Sequence, residues 1–70
     1  MSKVTIHIGR NKPLTAVGKN QVKMLQFAFE YPTWHSFRAD DATLRAVNGL
    51  LKRGSIQVND RFDMFKINMK

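Results

Sequence analysis

The stretch that most constrains this chain runs from Asp41 to Ile67, where a helical period stops at a glycine and passes directly into two alternating segments. Leu44, Val47, Leu50 and Leu51 recur at helix spacing and predict the buried stripe of a helix over about Ala42 to Arg53. Asp40 or Asp41 is placed to cap its start. Lys52 and Arg53 fall in the last turn, where cations suit the helix dipole, and Gly54 is placed to end it. Ser55 to Asn59 then alternates with Ile56 and Val58 inward. Asn59-Asp60-Arg61 makes a turn, and a return strand of roughly Phe62 to Asn68 points Phe65 and Ile67 inward. The pattern is that of a β-hairpin.

Upstream, Val4, Ile6 and Ile8 alternate with Thr5 and His7, which predicts a half-buried strand over Lys3 to Ile8 with His7 on its solvent face. Gly9 to Pro13 reads as a basic loop in which Arg10 and Lys12 form a flexible arm. From about Lys19 to Glu30 the period is helical. Val22, Leu25, Ala28 and Phe29 form the centre of an apolar arc that Met24 and Phe27 widen, and Lys19, Lys23, Gln26 and Glu30 share a narrow polar strip. So wide an arc implies several packing neighbours or another subunit. Pro32 ends the helix. Thr33 to Ala39 is a short aromatic connector, with Trp34 and Phe37 expected to close over the core and His35 to pack beside Trp34.

No repeat or linker divides the chain, and 70 residues with 43% apolar side chains suffice for one small domain. A chain this short buries roughly 60% of its unfolded surface, so marginal stability and support from a partner are expected. With no cysteine there is neither a disulfide framework nor a thiolate metal site, and His7 and His35 alone cannot complete a metal shell. No metal or cofactor is expected. No apolar run approaches the roughly 20 residues of a membrane span. The start Met1-Ser2-Lys3 lacks a signal-peptide pattern, so the expected location is cytoplasmic, at the nucleoid if the chain binds DNA. Twelve cations face five acids, a net charge of +7, and no acid precedes Glu30. That field favours polyanions: nucleic acid first, an anionic membrane surface second.

The run Asp-Ala-Thr-Leu-Arg-Ala-Val-Asn-Gly-Leu-Leu-Lys-Arg-Gly, followed by Ser-Ile-Gln-Val-Asn, a turn and Met-Phe-Lys-Ile, resembles a winged helix-turn-helix domain. Gln21 to Phe29 is similar to that family's first helix, so the resemblance spans about residues 14–68. It implies an α+β winged helix with two main helices, a short connector, a C-terminal hairpin wing and an N-terminal strand. The expected organisation is one domain over 1–70, with strand and basic loop in 1–13 and the winged-helix core in 14–68. One departure is plain. Between the helices only Tyr31 to Ala39 is available, room for one or two turns, so the family's second helix is shortened or missing.

The resemblance implies binding of duplex DNA, as a small transcriptional regulator or a phage or mobile-element accessory factor, with a homodimer as one form. Arg45 would read guanine edges from a smooth helix face made with Ala42, Ala46, Gly49 and Arg53. Mid-helix Gly49 costs about 1 kcal/mol relative to alanine. A groove-seeking face, close packing against a partner helix or simple tolerance would each account for it. Thr43 and Asn48 flank the face and could touch a phosphate or an adenine edge, although Thr43 could instead cap the helix. Phosphate contacts are expected from Lys19, Lys23, Arg38, Lys52 and Arg53, and from Arg61 and Lys66 on the wing. Solvated side chains are the plain alternative for each. Phe62 and Met64 would lie on the outer wing surface, open to a partner, with Met64 the favoured contact; alternatively the turn is longer and Phe62 folds under the wing.

Two alternatives stand beside DNA: a protein-interaction module for an acidic partner, and RNA binding through arginines with Trp34 or Phe62. An enzyme is not expected. His35-Ser36 adjacency does not set a base against a nucleophile, no acidic pair sits at a spacing suited to acid–base work, and no phosphate-binding glycine loop precedes a helix.

Overall fold

The computed structural model describes residues 3–7 and 13–68. Ile8, Arg10 and Lys12 therefore lie outside the described residues, and with them the end of the first strand and the basic arm. Strand β1 (Lys3–Ile6) pairs antiparallel with β2 (Leu14–Val17) in a two-stranded sheet. Helix α1 (Lys19–Glu30) follows, then a two-residue strand β3 (His35–Ser36), helix α2 (Asp41–Lys52), β4 (Ile56–Val58) and β5 (Met64–Ile67). The last three strands form an antiparallel sheet in the order β3-β5-β4. The described residues thus form an α+β fold of two helices and two small antiparallel sheets. No helix among the described residues is long and apolar enough to cross a membrane.

One core joins these pieces. Leu25 and Ala28 of α1, Val47 and Leu50 of α2, Leu14 and Ala16 of β2, and Ile56, Phe65 and Ile67 of the larger sheet are all buried. Strand alternation sends Phe65 and Ile67 inward and leaves Met64 and Lys66 half-buried on the opposite sheet face. The hairpin expected after Gly54 is present, and Gly54 takes the positive φ of 71° that ends α2 and suits glycine.

Strand β2 lies where only a loop and the start of the core were expected. Its outer side is held by side chains. Buried Ser55 donates its hydroxyl to the Thr15 carbonyl at 2.6 Å and accepts the Thr15 N–H at 3.1 Å. Gln21 Oε1 accepts the Val17 N–H at 3.2 Å. One serine thereby ties the N-terminal hairpin to the junction of α2 and β4.

The connector holds no helix; its only regular element is β3, paired through His35↔Phe65 and Ser36↔Met64. Three expectations about aromatic residues are corrected by this arrangement. Trp34 does not close over the core: it is 38% exposed, with Lys66 Nζ 5.0 Å from its ring centroid. His35 packs among Phe27, Tyr31 and Phe65 instead of beside Trp34. Phe29 stands at the rim of the α1 arc and is 48% exposed, because α1 turns Leu25 and Ala28 to the core and leaves the flanking Phe27 and Phe29 at the surface. Phe37 does pack against the core.

Candidate nucleic-acid interface

α2 is built to stand alone at both ends. Asp40 is its N-cap, and its carboxylate accepts the Thr43 N–H at 2.8 Å. The Thr43 hydroxyl, the Thr43 amide and the charge of Arg38 hold the Asp40 carboxyl below its ordinary value, against a smaller opposing effect of desolvation. Asp41 lies in the first turn and Lys52 in the last, both favourable to the dipole. Thr43 thus commits its amide to the cap and lies half-buried, the capping alternative for this residue rather than the contact one.

The outward stripe is rotated from the expected one. Asp41, Arg45, Asn48 and Lys52 are exposed, and helical spacing puts them on one side of α2. Ala46 is buried, and Gly49 faces α1, where an added Cβ would collide with the Gln21 side-chain amide and stand 2.9 Å from its Cδ. The expectation that Gly49 and Ala46 form a smooth outward face is therefore corrected. The partner helix that needs the glycine is the protein's own α1. The same terminal amide of Gln21 accepts the Val17 N–H through its Oε1, which holds it beside Gly49.

α1 starts differently. Its N-cap is Gly18 at φ 91°, no side chain caps it, and its first turn has no acid. Lys19 occupies the first helical position, where a cation opposes the dipole. An open cleft of about 440 Å³ lies between this helix start and α2, lined by Gly18, Lys19, Asn20 and Gln21 on one side and Ala42, Arg45 and Ala46 on the other. The structure therefore brings Lys19 and Arg45 to the same cleft, which a sequence reading of each helix by itself does not connect.

A second groove, about 310 Å³, shares Asn20 with the first as a lining residue. Lys23 and Arg38 line it together with Phe27, His35, Phe37 and Phe65. Neither His35 nor Phe27 was among the expected site residues. The signal that could have found Phe27 is its place at the rim of an apolar arc too wide for one neighbour.

The remaining expected contacts disperse. Arg53 is the C-cap of α2 and donates to Thr15 Oγ1 at 3.3 Å, which turns it toward the N-terminal hairpin. Lys66 lies under Trp34 on the outer sheet face, so it does not join Arg45. Arg61 is exposed in the turn between β4 and β5. That turn extends from Asn59 to Asp63, because Asn59 Oδ1 accepts the N–H groups of Asp63 and Met64 at 3.0 and 2.9 Å. Phe62 and Met64 consequently part company. Phe62 takes a positive φ of 57° and sets its ring edge-on to Phe37 at 5.7 Å, while Met64 is half-buried in β5. This is the arrangement of the longer-turn alternative, with Phe62 folded back against Phe37 while still 41% exposed.

Comparison with protein-family models, curated proteins and solved structures returned no match.

Proposed function

We propose that this chain is a small DNA-binding protein that presents the outward stripe of α2 to a duplex, on a winged-helix-like body without a second helix. The observation that carries this reading is the grouping of Arg45, Asn48 and Lys52 on one exposed helix side, with Lys19 across the adjoining cleft. Arginine and asparagine are side chains that can bond base edges in two places at once, and lysine supplies a phosphate contact. The start of α1 supports the same surface. A helix that leaves its first N–H groups without a side-chain cap and adds a lysine gives up local stability, and an approaching phosphate offsets both. The sheet order β3-β5-β4, with the helices packed on its inner face, is compatible with a winged helix. A regulator or accessory factor is the role this reading implies.

Anisotropy of labelled duplexes at about 50 and about 200 mM salt tests it, since phosphate contacts make affinity fall steeply with salt. Replacing Arg45 and Asn48 by alanine is expected to reduce discrimination between duplexes by about 1–3 kcal/mol for each base that is no longer read. A parent protein that ignores duplex DNA at low salt overturns the reading. So does a double variant that binds every duplex like the parent.

A protein partner is the second reading. Phe27, Phe29, Tyr31, Trp34 and Phe62 all leave much of their rings exposed, more apolar surface than a solitary 70-residue body needs to show. A solution mass above that of one chain, without any nucleic-acid binding, favours it.

A further inference from the structure

We infer that the groove between α1 and the connector binds one unpaired nucleotide of a nucleic-acid strand, its base stacked against Phe27 and its phosphate held by Lys23 and Arg38. This goes beyond duplex recognition by α2, because the groove is a different one and shares only Asn20 with the cleft that contains Arg45.

The lining is what a nucleotide needs. Phe27, His35, Phe37 and Phe65 give it an aromatic wall, with ring centroids 4.5 Å apart for Phe27 and His35 and 6.1 Å apart for Phe37 and Phe65. Phe27 is 46% exposed, so a planar guest can add to the series without displacing the core. Every base has a π face, which makes stacking of this kind tolerant of sequence. Two cations, Lys23 and Arg38, line the same groove and no acid does. Asp40, which caps α2 through Thr43 and shares its charge interaction with Arg38, stays outside the lining. Asn20 and Ser36 add donors and acceptors for a base edge.

Size and continuity choose among guests with that chemistry. A volume of about 310 Å³ lies at the lower end for ligand pockets, roughly 300–1,000 Å³. A partner helix would need a longer track, with anchors repeating at helical spacing. An acidic peptide satisfies the cations, but its carboxylates have no face to lay on Phe27. A free nucleotide fits the groove as well as one in a strand. The strand is favoured because Asn20 lines both this groove and the cleft of Lys19 and Arg45, so positive charge for further phosphates lies beside it.

The test compares a blunt duplex with the same duplex carrying a short single-stranded thymidine overhang, by anisotropy. A short oligothymidylate, thymidine monophosphate and a glutamate- and phenylalanine-rich peptide serve as further probes. The parent is expected to bind the overhang duplex at least about fivefold tighter than the blunt one, the lower end of what stacking one base on an aromatic ring supplies. Phe27→Leu, which keeps an apolar side chain, is expected to remove that advantage and leave blunt-duplex affinity unchanged. Lys23→Gln, at an exposed position, checks the phosphate contact independently and is expected to weaken oligothymidylate binding. Ring protons of Phe27 and His35 are expected to move upfield when the oligothymidylate is added, a shift that a purely structural role for Phe27 would not produce.

Equal affinity for the two duplexes with unmoved ring protons overturns the inference, while leaving duplex binding by α2 intact if Arg45→Ala still matters. Thymidine monophosphate binding as tightly as the oligothymidylate overturns the strand assignment, and displacement by the peptide overturns the nucleotide one. Oligothymidylate binding that moves the ring protons, with no affinity for blunt duplex, supports the groove and removes the duplex reading instead.

Discussion

α1 and α2 are both 12 residues long, yet they manage their first turns in opposite ways. α2 has a carboxylate cap at Asp40, an acid inside it at Asp41 and a lysine at its end. Each local choice there agrees with the helix dipole. α1 begins on glycine, carries Lys19 where an acid would stabilise it, and has no basic residue in its last turn. Both helices send two or three residues fully into the same core, so tertiary packing compensates for the poor start of α1. Helix starts that break local rules without structural need mark surfaces where something outside the chain can satisfy what the chain leaves open. That contrast favours the α1 end of the cleft as the candidate interface, with α2 contributing an ordered frame for Arg45.

The contrast can be broken first in the core. Leu25→Ala and Leu50→Ala remove side chains that are both 0% exposed, one from each helix. Each is expected to cost about 2–5 kcal/mol in urea unfolding, enough to unfold much of so small a domain. If only the Leu50 variant suffers, α1 is not held by packing and its tolerance of a bad start needs another cause. Next comes the tie between the two halves. Ser55→Ala leaves the Thr15 N–H and carbonyl without their buried partner and is expected to cost about 1–3 kcal/mol, read from the same unfolding curves.

A sharper test reverses one charge. Lys19→Glu is expected to raise stability by about 1 kcal/mol, because it aligns the first turn of α1 with the dipole, and at the same time to weaken duplex binding. A gain in stability with unchanged binding would remove Lys19 from the interface. The smallest expected effect belongs to Asp40. Its carboxyl titrates lower in the folded protein than in the unfolded chain. The stability it contributes is therefore complete above its ordinary value of 3.8 and disappears as pH falls through the lower folded value. Asp40→Asn keeps a competent cap and is expected to leave neutral-pH stability nearly unchanged while flattening that acid limb. An unaltered acid limb in circular dichroism would show that Asp40 does not control it.

The sequence was legible where one period ran long enough to average over neighbours. α1, α2 and the C-terminal hairpin are such cases, down to the inward choice of Phe65 and Ile67. β3 is only two residues long, below the reach of any periodicity, and is created by its pairing with β5. Leu14 and Ala16 do alternate with Thr15 and Val17, but a four-residue strand beside a basic loop leaves little pattern. The rotation of α2 was hidden because alanine and glycine carry no polarity to orient them. Size placed Ala46 and Gly49 against α1, with Gln21 filling the space opposite the glycine. The positive φ of Phe62 depends on the Asn59 side chain gathering two backbone amides, a long-loop geometry that a three-residue turn does not contain. At the candidate site, Arg45, Asn48 and Lys52 were identifiable residue by residue. Their junction with Lys19, and the aromatic groove beside Lys23, arise from how the two helices pack.

The serine and glutamine that bond to β2 also bear on how open its sheet is to added strands. A small open sheet normally offers its border as a template on which foreign strands can line up. Here two of the outward groups of Thr15 and one of Val17 are already claimed by Ser55 and Gln21. Growth of the two-stranded sheet into a fibril-like stack is thereby blocked along β2, and any such recruitment would have to begin on the β1 side.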